Sequence, residues 1–513
     1  MLGRVEKAVL LYLEKSLFEL REQRSPFRDF FYQWMFKIKI FRPKWMRFNP
    51  VIYLYGNFTR FTRSSNKSSE KSGLTLSRST SLHLLAVPFC CQYFTLTNIK
   101  YNFRLVSMYI KRQLANILQK AMQQFPAVLV TGPRQAGKTT FLQNEAGEEF
   151  AYASFDDPVE RSFAAADPIG FLDRFGDKPV ILDEIQYVPD LLPSLKLRID
   201  RQRQRNGRWI LTGSQQFHLM RNVSESLAGR IAILDQLPFS IRELTHQGLP
   251  SLEALFWNGC YPEPSLYPEK RDLWIRSYVQ TYLERDVRQL QNIRDLRAFE
   301  QFVALACARH AQEFNSSVFS RETGVTLPTA KSWAGVLEAS YMLCLLLPFY
   351  NNLGKRVTKS PKLYMLDPAI VCYLTRQPSG EAALAGAMGG ALFEGLMVME
   401  AFKCFTSAGL KPVLWYWRSH DGLEVDLILQ AGAKLIPIEI KLTTSPTVAH
   451  LNGLKRFRAL AGEDICEPGI LVCRVSERQP LPYGITALPW QVFPQWLAER
   501  GLCAGGESVL KPS

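Results

Sequence analysis

The stretch VTGPRQAGKTT, residues 130–140, decides how the rest of the chain is read. Gly132 to Thr139 fits the pattern G-x-x-x-x-G-K-[ST] in full, and it follows the apolar run PAVLVTG. The two glycines free the backbone to wrap phosphate oxygens with N–H groups, and a following helix N-terminus adds positive potential. Gly132, Pro133, Arg134, Gln135, Ala136, Gly137, Lys138, Thr139 and Thr140 therefore form a candidate nucleotide cradle. Within it Lys138 would reach the β- and γ-phosphates, and the Thr139 hydroxyl would ligate Mg2+.

Such a loop needs an acidic partner at the end of a second strand. VILDE supplies one, with Asp183 lying 45 residues beyond Lys138. Asp183 would hold the Mg2+ through water, and Glu184 would polarise the attacking water. Alone, this acidic pair is a weak pattern; with the loop it points to hydrolysis rather than storage. RWILTGSQQF ends a further strand in Thr212 and Ser214, placed to sense the γ-phosphate or the water. An ordinary strand-end turn is the competing reading. SESLAGRIAIL puts Arg230 at the start of the next strand. There it can stabilise transition-state charge in cis or across a subunit interface, or be a solvated surface charge.

The pattern divides the chain into four parts. Residues 108–250 alternate apolar strands with helical stretches, the signature of an α/β P-loop domain with a parallel sheet covered on both faces. Residues 251–380 are helical, with apolar positions three and four apart in RDLWIRSYVQTYLERDVRQL. Within them, NSSVFSRETGVTLPTAKSW reads as helix, glycine turn and second helix, and GKRVTKSPKLYMLD as the strands of a wing. In this winged-helix reading Lys331, Arg356, Lys359 and Lys362 would meet phosphates, while Trp333, Leu337 and Tyr341 form core. The charges Glu284, Arg285 and Asp286 read as a solvated helix face. TRQPSGEAALAGAMGGA, residues 375–391, reads as a linker. Residues 381–513 form a smaller α/β unit in which a helix precedes the strands LWYWRS, LEVDLILQ and KLIPIEIKL.

That last unit carries a second constellation. Glu439 and Lys441 are two apart on one strand and so share a face. Asp426 can join them from the neighbouring strand, and Glu394 from the preceding helix. Carboxylates and a lysine on one face can hold Mg2+ and activate water for phosphodiester cleavage. The set resembles the PD-(D/E)xK nuclease fold of restriction endonucleases. D…E-x-K is a degenerate pattern, and a hairpin with solvated charges, or a fold used only for binding, competes with it.

FPAVLVTGPRQAGKTT, ILDEIQYVPDLLPSLKLRID and ILTGSQQFHLMRNVSESLAGRIAIL together resemble a family of bacterial and archaeal ATPases. That family pairs an AAA-type P-loop core with a C-terminal domain of unknown function (the AAA_14 plus DUF4143 architecture). The likeness continues through YLERDV, KSPKLYMLD, LFEGLMVMEA and YWRSHDGLEVDLIL, from about Met108 to Phe457. It implies an AAA-type fold with an additional strand, and ATP with Mg2+ as ligands. Two functions follow as expectations. One is an ATPase whose nucleotide state controls a nuclease-like domain on DNA. The other is a nucleotide-dependent switch that binds a protein partner or a second copy of the chain and cleaves nothing.

Residues 1–107 fall outside the resemblance. They hold 18 Lys+Arg against 6 Asp+Glu, and 20 aromatic residues. Most of the formal net charge of +15 therefore lies in this segment, and the overall basicity does not bear on DNA binding by the remainder. A basic, aromatic arm can bind nucleic acid, but its lack of periodicity reads as an unfolded extension upstream of the helix that opens at Met108. No apolar run reaches the roughly 18 residues of a membrane span. Glutamates interrupt any secretory leader, and the ten cysteines include no C-x-x-C pair. The expectation is a cytoplasmic protein with no membrane partner.

Overall fold

Apolar runs that cannot leave either face in water pack between helices, and here they form a five-stranded parallel sheet. Its strands are β1 (Ala127–Thr131), β2 (Ala151–Ser154), β3 (Val180–Asp183), β4 (Trp209–Thr212) and β5 (Ile231–Asp235). Their order is β2-β3-β4-β1-β5. The central β1, β3 and β4 are buried along their whole length, whereas the edge strands β2 and β5 are partly exposed. Alternate residues of β1 serve opposite cores. Ala127 and Leu129 join Phe155, Phe171 and Leu182, while Val128 and Val130 join Leu118, Phe141 and Ile210. Helix α1 (Ala115–Gln124) and helix α2 (Lys138–Glu145) contribute to the second core, and α3 (Leu191–Arg201) to the first. β4 separates β1 from β3, so the additional strand expected of the AAA-type sheet is present. The carboxyl ends of β1, β3 and β4 emerge along one edge, where parallel sheets bind ligands.

The structure, a computed structural model, describes residues 109–214, 223, 225–281, 295–350 and 360–502. The basic extension, the charged triplet Glu284–Asp286, and Arg356 and Lys359 lie outside the described residues.

Beyond β5 the chain becomes helical. The short α4 (Ile241–Leu244) is closed by a capping box of Ser240 and Glu243. Farther on, α5 (Leu296–Ala308) packs beside α6 (Ser316–Thr323) and α7 (Leu327–Ala339). Gly324, at φ +70°, makes the turn between α6 and α7, and Thr326 caps the second helix. Trp333 meets Phe299 and Phe302 edge to face at 5.1 and 5.6 Å, so it is core, as is Leu337. Strands β6 (Gln312–Glu313), β7 (Leu343–Leu346) and β8 (Lys362–Met365) pair antiparallel in the order β6-β8-β7.

The glycine- and alanine-rich stretch 375–391 is not a linker. Residues Gly380–Ala385 form a helix with Gly380 and Ala383 buried. A β-carbon on Gly380 would stand 2.3 Å from the Glu253 carbonyl oxygen. Small side chains here let two helices touch closely, which composition alone reads as flexibility.

The C-terminal part opens with α8 (Gly389–Ser407), which buries residues on every face and runs as an internal strut. Strands β9 (Leu414–Arg418), β10 (Glu424–Ala431) and β11 (Lys434–Ile440) form an antiparallel meander. After α9 (Asn452–Ala461), β12 (Ile470–Cys473) returns parallel to β11. β13 (Gln479–Pro480) and β14 (Thr486–Pro489) complete the sheet β13-β14-β12-β11-β10-β9. An isolated bridge between Pro348 and Tyr416 ties the end of β7 to β9. Among the described residues no helix is long and apolar enough to cross a membrane.

Candidate functional site

The phosphate loop leaves β1 and enters α2 through Gly132 (φ +142°) and Gly137 (φ +84°). A β-carbon on Gly132 would overlap the Gln236 carbonyl oxygen at 2.0 Å, so only glycine fits this approach. Lys138 is buried at the helix start and donates from Nζ to the carbonyls of Gly132 (3.1 Å) and Pro133 (2.9 Å). Thr139 Oγ1 donates to Asp183 Oδ2 at 3.0 Å, bringing hydroxyl and carboxylate together at the mouth of the loop. Tyr152 donates to the same oxygen at 2.6 Å, and Thr212 donates to Asp183 Oδ1. Burial and the Asp183 carboxylate both push the Tyr152 phenol above its ordinary range, so it remains a donor.

Glu184 sits in the left-handed region at φ 56°, a strained setting for a residue with a β-carbon. Its N–H donates to Thr212 Oγ1 at 2.9 Å, and its Oε2 accepts from Ser214 Oγ at 3.0 Å and from Gln186. Asp183 thus links the loop's Thr139 to Thr212 at the end of β4, while Glu184 faces Thr212 and Ser214 at that same end. Hard oxygen donors from Thr139 and Asp183, beside a backbone cradle with room only for glycine, suit Mg2+ and a nucleotide phosphate.

Arg230 is in the wrong place for a role in cis. It precedes β5 at the level of Ala127, whose N–H it accepts through its own carbonyl at 3.3 Å. The loop lies at the other end of these parallel strands. Its guanidinium instead forms a two-pronged pair with Asp200 on α3, at 2.6 and 3.0 Å.

The C-terminal constellation assembles from α8, β10, the end of β11 and an unexpected contributor, β8. Lys441 Nζ lies 3.0 Å from Asp426 Oδ2 and 2.7 Å from Glu439 Oε1, so these three converge. Asp426 Oδ2 also accepts from the Ile440 N–H at 2.9 Å. The β9–β10 register shifts between Val425 and Ile428, a bulge of the kind that re-aims a side chain. Glu394 joins through Lys362, whose Nζ is 2.9 Å from Glu394 Oε1, in contact with Glu424, and 3.7 Å from Asp426 Oδ1. Lys362 is buried and cannot meet a nucleic-acid phosphate, which overturns the phosphate contact expected of it. The hydroxyl of Tyr364, two residues on, donates to Glu394 Oε1 at 2.7 Å.

Burial, followed by the charge of Asp426, pushes the carboxyls of Glu394 and Glu439 upward. Burial works against the ammonium groups of Lys362 and Lys441, yet the surrounding anions outweigh it and hold both above the usual lysine range. Glu394, Glu424 and Asp426 bring one carboxylate oxygen each within 4.8 Å of one another. That is a geometry able to hold a cation.

The AAA domain profile matches residues 124–245, and two domains of unknown function, DUF8612 and DUF4143, match 249–381 and 389–493. Uncharacterized proteins of Mycobacterium tuberculosis and Mycobacterium bovis are each 30% identical over 345 residues, spanning 66% of this chain and 76% of theirs. The chain belongs to the family that joins this AAA domain to DUF4143. Among solved structures, the Walker-type ATPase of Pyrococcus abyssi aligns with a TM-score of 0.34 at 16% identity, over 52% of this chain and 95% of that one. RuvB of Thermotoga maritima aligns with a TM-score of 0.24 at 16% identity, over 46% and 88%.

In this AAA–DUF4143 protein, several site residues escape sequence reading. Tyr152 sits in an unremarkable AYAS strand. Arg112 donates to the loop carbonyl of Ala136 (3.0 Å) and to Glu243 (3.0 Å), although it lies 24 residues before that carbonyl. Glu424 was within reach, because it alternates with Asp426 on LEVDLIL and so shares its face.

Proposed function

We propose that this protein hydrolyses ATP at the loop and uses the nucleotide state to control a metal-dependent phosphodiester-cleaving centre in its DUF4143 part. One observation carries the coupling: α8 serves both places. Its Glu394 enters the carboxylate cluster. About two turns along, Glu400 accepts the Ile241 N–H (2.8 Å) and Lys403 donates to the Phe239 carbonyl (2.8 Å). Those two acceptor and donor groups flank the capping box whose Glu243 holds Arg112, and Arg112 holds the loop carbonyl of Ala136. Gln236 adds a second tie to that carbonyl at 3.1 Å.

In this reading Lys138 leaves the loop carbonyls for the β- and γ-phosphates. Glu184, steadied by Ser214 until nucleotide arrives, accepts a hydrogen bond from the attacking water. Mg2+, when bound by Thr139 and Asp183, neutralises phosphate charge. Glu184→Gln should retain ATP while slowing turnover, measured by nucleotide binding and phosphate release on the same preparation. ATP turnover at the parental rate would overturn the assignment of Glu184.

For the second centre, Asp426→Asn should abolish Mg2+-dependent DNA cleavage without lowering ATP turnover. A second reading has its own support, since Lys362 and Lys441 already satisfy much of the carboxylate charge. That reading is a nucleotide-dependent interaction switch with no cleavage. Intact single- and double-stranded DNA after incubation with the full chain, ATP and Mg2+ would decide for it.

A further inference from the structure

The cluster contains an internal cation where a metal ion would be expected. Lys362 Nζ lies among the three carboxylates whose oxygens converge within 4.8 Å. It belongs to β8, in the sheet β6-β8-β7, and not to the C-terminal sheet that supplies Glu424 and Asp426. We propose that Lys362 is a tethered counter-cation that a divalent metal ion displaces from Glu394, Glu424 and Asp426. Metal loading of this centre and insertion of the Lys362 side chain are then alternatives. The inference rests on reading the carboxylates as a metal site.

Two further observations point to a missing cation. Glu439 is 6% exposed, and its Oε2 is buried without a hydrogen-bond partner, although its other oxygen meets Lys441. Buried acceptors without partners are rare in folded proteins. The formal charges do not balance either. Glu394, Glu424, Asp426 and Glu439 pair with two ammonium groups, Lys362 and Lys441, with Arg418 opposite Glu424 on the neighbouring strand. The donor set is all oxygen, which favours Mg2+, Mn2+ or Ca2+ over softer metals. Lys362 Nζ and a divalent ion would compete for the same oxygens of Glu394 and Glu424, and their like charges repel at low dielectric. Exchange is the entry this geometry favours for a metal at these three carboxylates. Tyr364, on the same face of β8, keeps its hydrogen bond to Glu394 as a neutral contact that competes less.

The test is Mn2+ binding to the full chain without nucleotide, read by equilibrium dialysis and by the electron paramagnetic resonance of free Mn2+. Lys362→Met should bind one Mn2+ tighter than the parent by about tenfold or more, since a competing positive charge is gone. Adding Asp426→Asn should remove that gain, while the shared Thr139–Asp183 site cancels in the comparison. Should Lys362→Met fail to fold, Lys362→Gln, neutral but still able to donate to Glu394, is compared with the parent, and a gain in the same direction is expected. Equal Mn2+ affinity with and without Lys362, or a gain indifferent to Asp426→Asn, would overturn the exchange. Either result leaves the cleavage reading to be judged by its own assay. Conversely, tighter Mn2+ binding by a chain that cleaves no DNA would remove the nuclease reading and keep the exchange.

Discussion

The nucleotide loop and the carboxylate cluster solve opposite problems with similar groups. At the loop, Asp183 is surrounded by neutral hydroxyls from Thr139, Tyr152 and Thr212, which a cation can replace at little cost. In the cluster, buried carboxylates are held by the half-buried ammonium of Lys441 and the buried one of Lys362, and a buried charge stripped of its partner costs several kcal/mol. The first arrangement waits for a ligand; the second is locked by its own side chains. On the proposed coupling, regulation of the second site by the first requires enough free energy to open a lock.

The largest expected effect tests whether the two sites are chemically separate. Lys138→Ala should cut ATP turnover by on the order of 100- to 1,000-fold, the usual loss when a positioned donor to developing charge is removed. Mn2+ binding at the cluster should be unchanged in the absence of nucleotide, because Lys138 Nζ donates to the carbonyls of Gly132 and Pro133 in the loop and the cluster's ion pairs are made by Lys362 and Lys441. ATP turnover at the parental rate would break the assignment of the loop. A changed nucleotide-free Mn2+ affinity would break the separation.

A smaller effect tests whether the wall beside the cluster is dry. His310 lies against α8 next to Glu394. Its Nδ1 accepts the Met365 N–H at 3.0 Å, and a β-carbon on Gly395 would stand 1.9 Å from its Nε2. Burial lowers its pKa from 6.5 to about 4. Between those values the unfolded chain binds a proton that the folded chain does not. The histidine's stabilising share is thus full above pH 6.5 and falls away as pH drops toward 4. By pH 5 the loss amounts to about 2 kcal/mol. The raised carboxyls of Glu394 and Glu439 act in the other sense, favouring the fold at low pH and losing that share as pH rises. The histidine term is isolated by comparing urea denaturation of the parent with His310→Asn. Their stability difference should shrink by about 2 kcal/mol from pH 7 to pH 5. A difference that is constant with pH would mean the imidazole is hydrated.

The same contrast explains what the sequence disclosed. The loop is contiguous, and its glycines, lysine and threonine carry their spacing constraints within eight residues, so it is legible. Asp183 and Glu184 follow because a strand of fully buried apolar residues must end in the polar edge of the sheet. Asp426, Glu439 and Lys441 were legible for a related reason, the two-residue period of strands. Lys362 was not, because it reaches the cluster from a strand 64 residues before Asp426 and belongs to a different sheet. Arg230 misled as a residue acting in cis because its proximity in sequence to an active strand says nothing about which end of that strand it occupies. Strand polarity decides, and Arg230 is at the start of β5 while the loop follows the end of β1. The stretch 375–391 misled because glycine and alanine serve equally well for flexible chain and for tight helix contact.

The smallest effect bears on how ready the nucleotide site is. Asp183 Oδ2 accepts from both Thr139 and Tyr152, so its lone pairs are occupied before any metal arrives. Tyr152 is 43% exposed and therefore has water as an alternative partner, which keeps the cost of displacing it low. Tyr152→Phe removes that competitor while leaving the ring in place. A net hydrogen bond of about 0.5–1 kcal/mol corresponds to roughly two- to fivefold in the Mg2+ concentration that half-saturates ATP turnover. The variant should need less Mg2+, at an unchanged maximal rate. If it instead needs more, the phenol orients Asp183 rather than competing for it. The hydroxyl shell would then be part of the metal site, and the contrast between a waiting site and a locked one would narrow to a difference in charge alone.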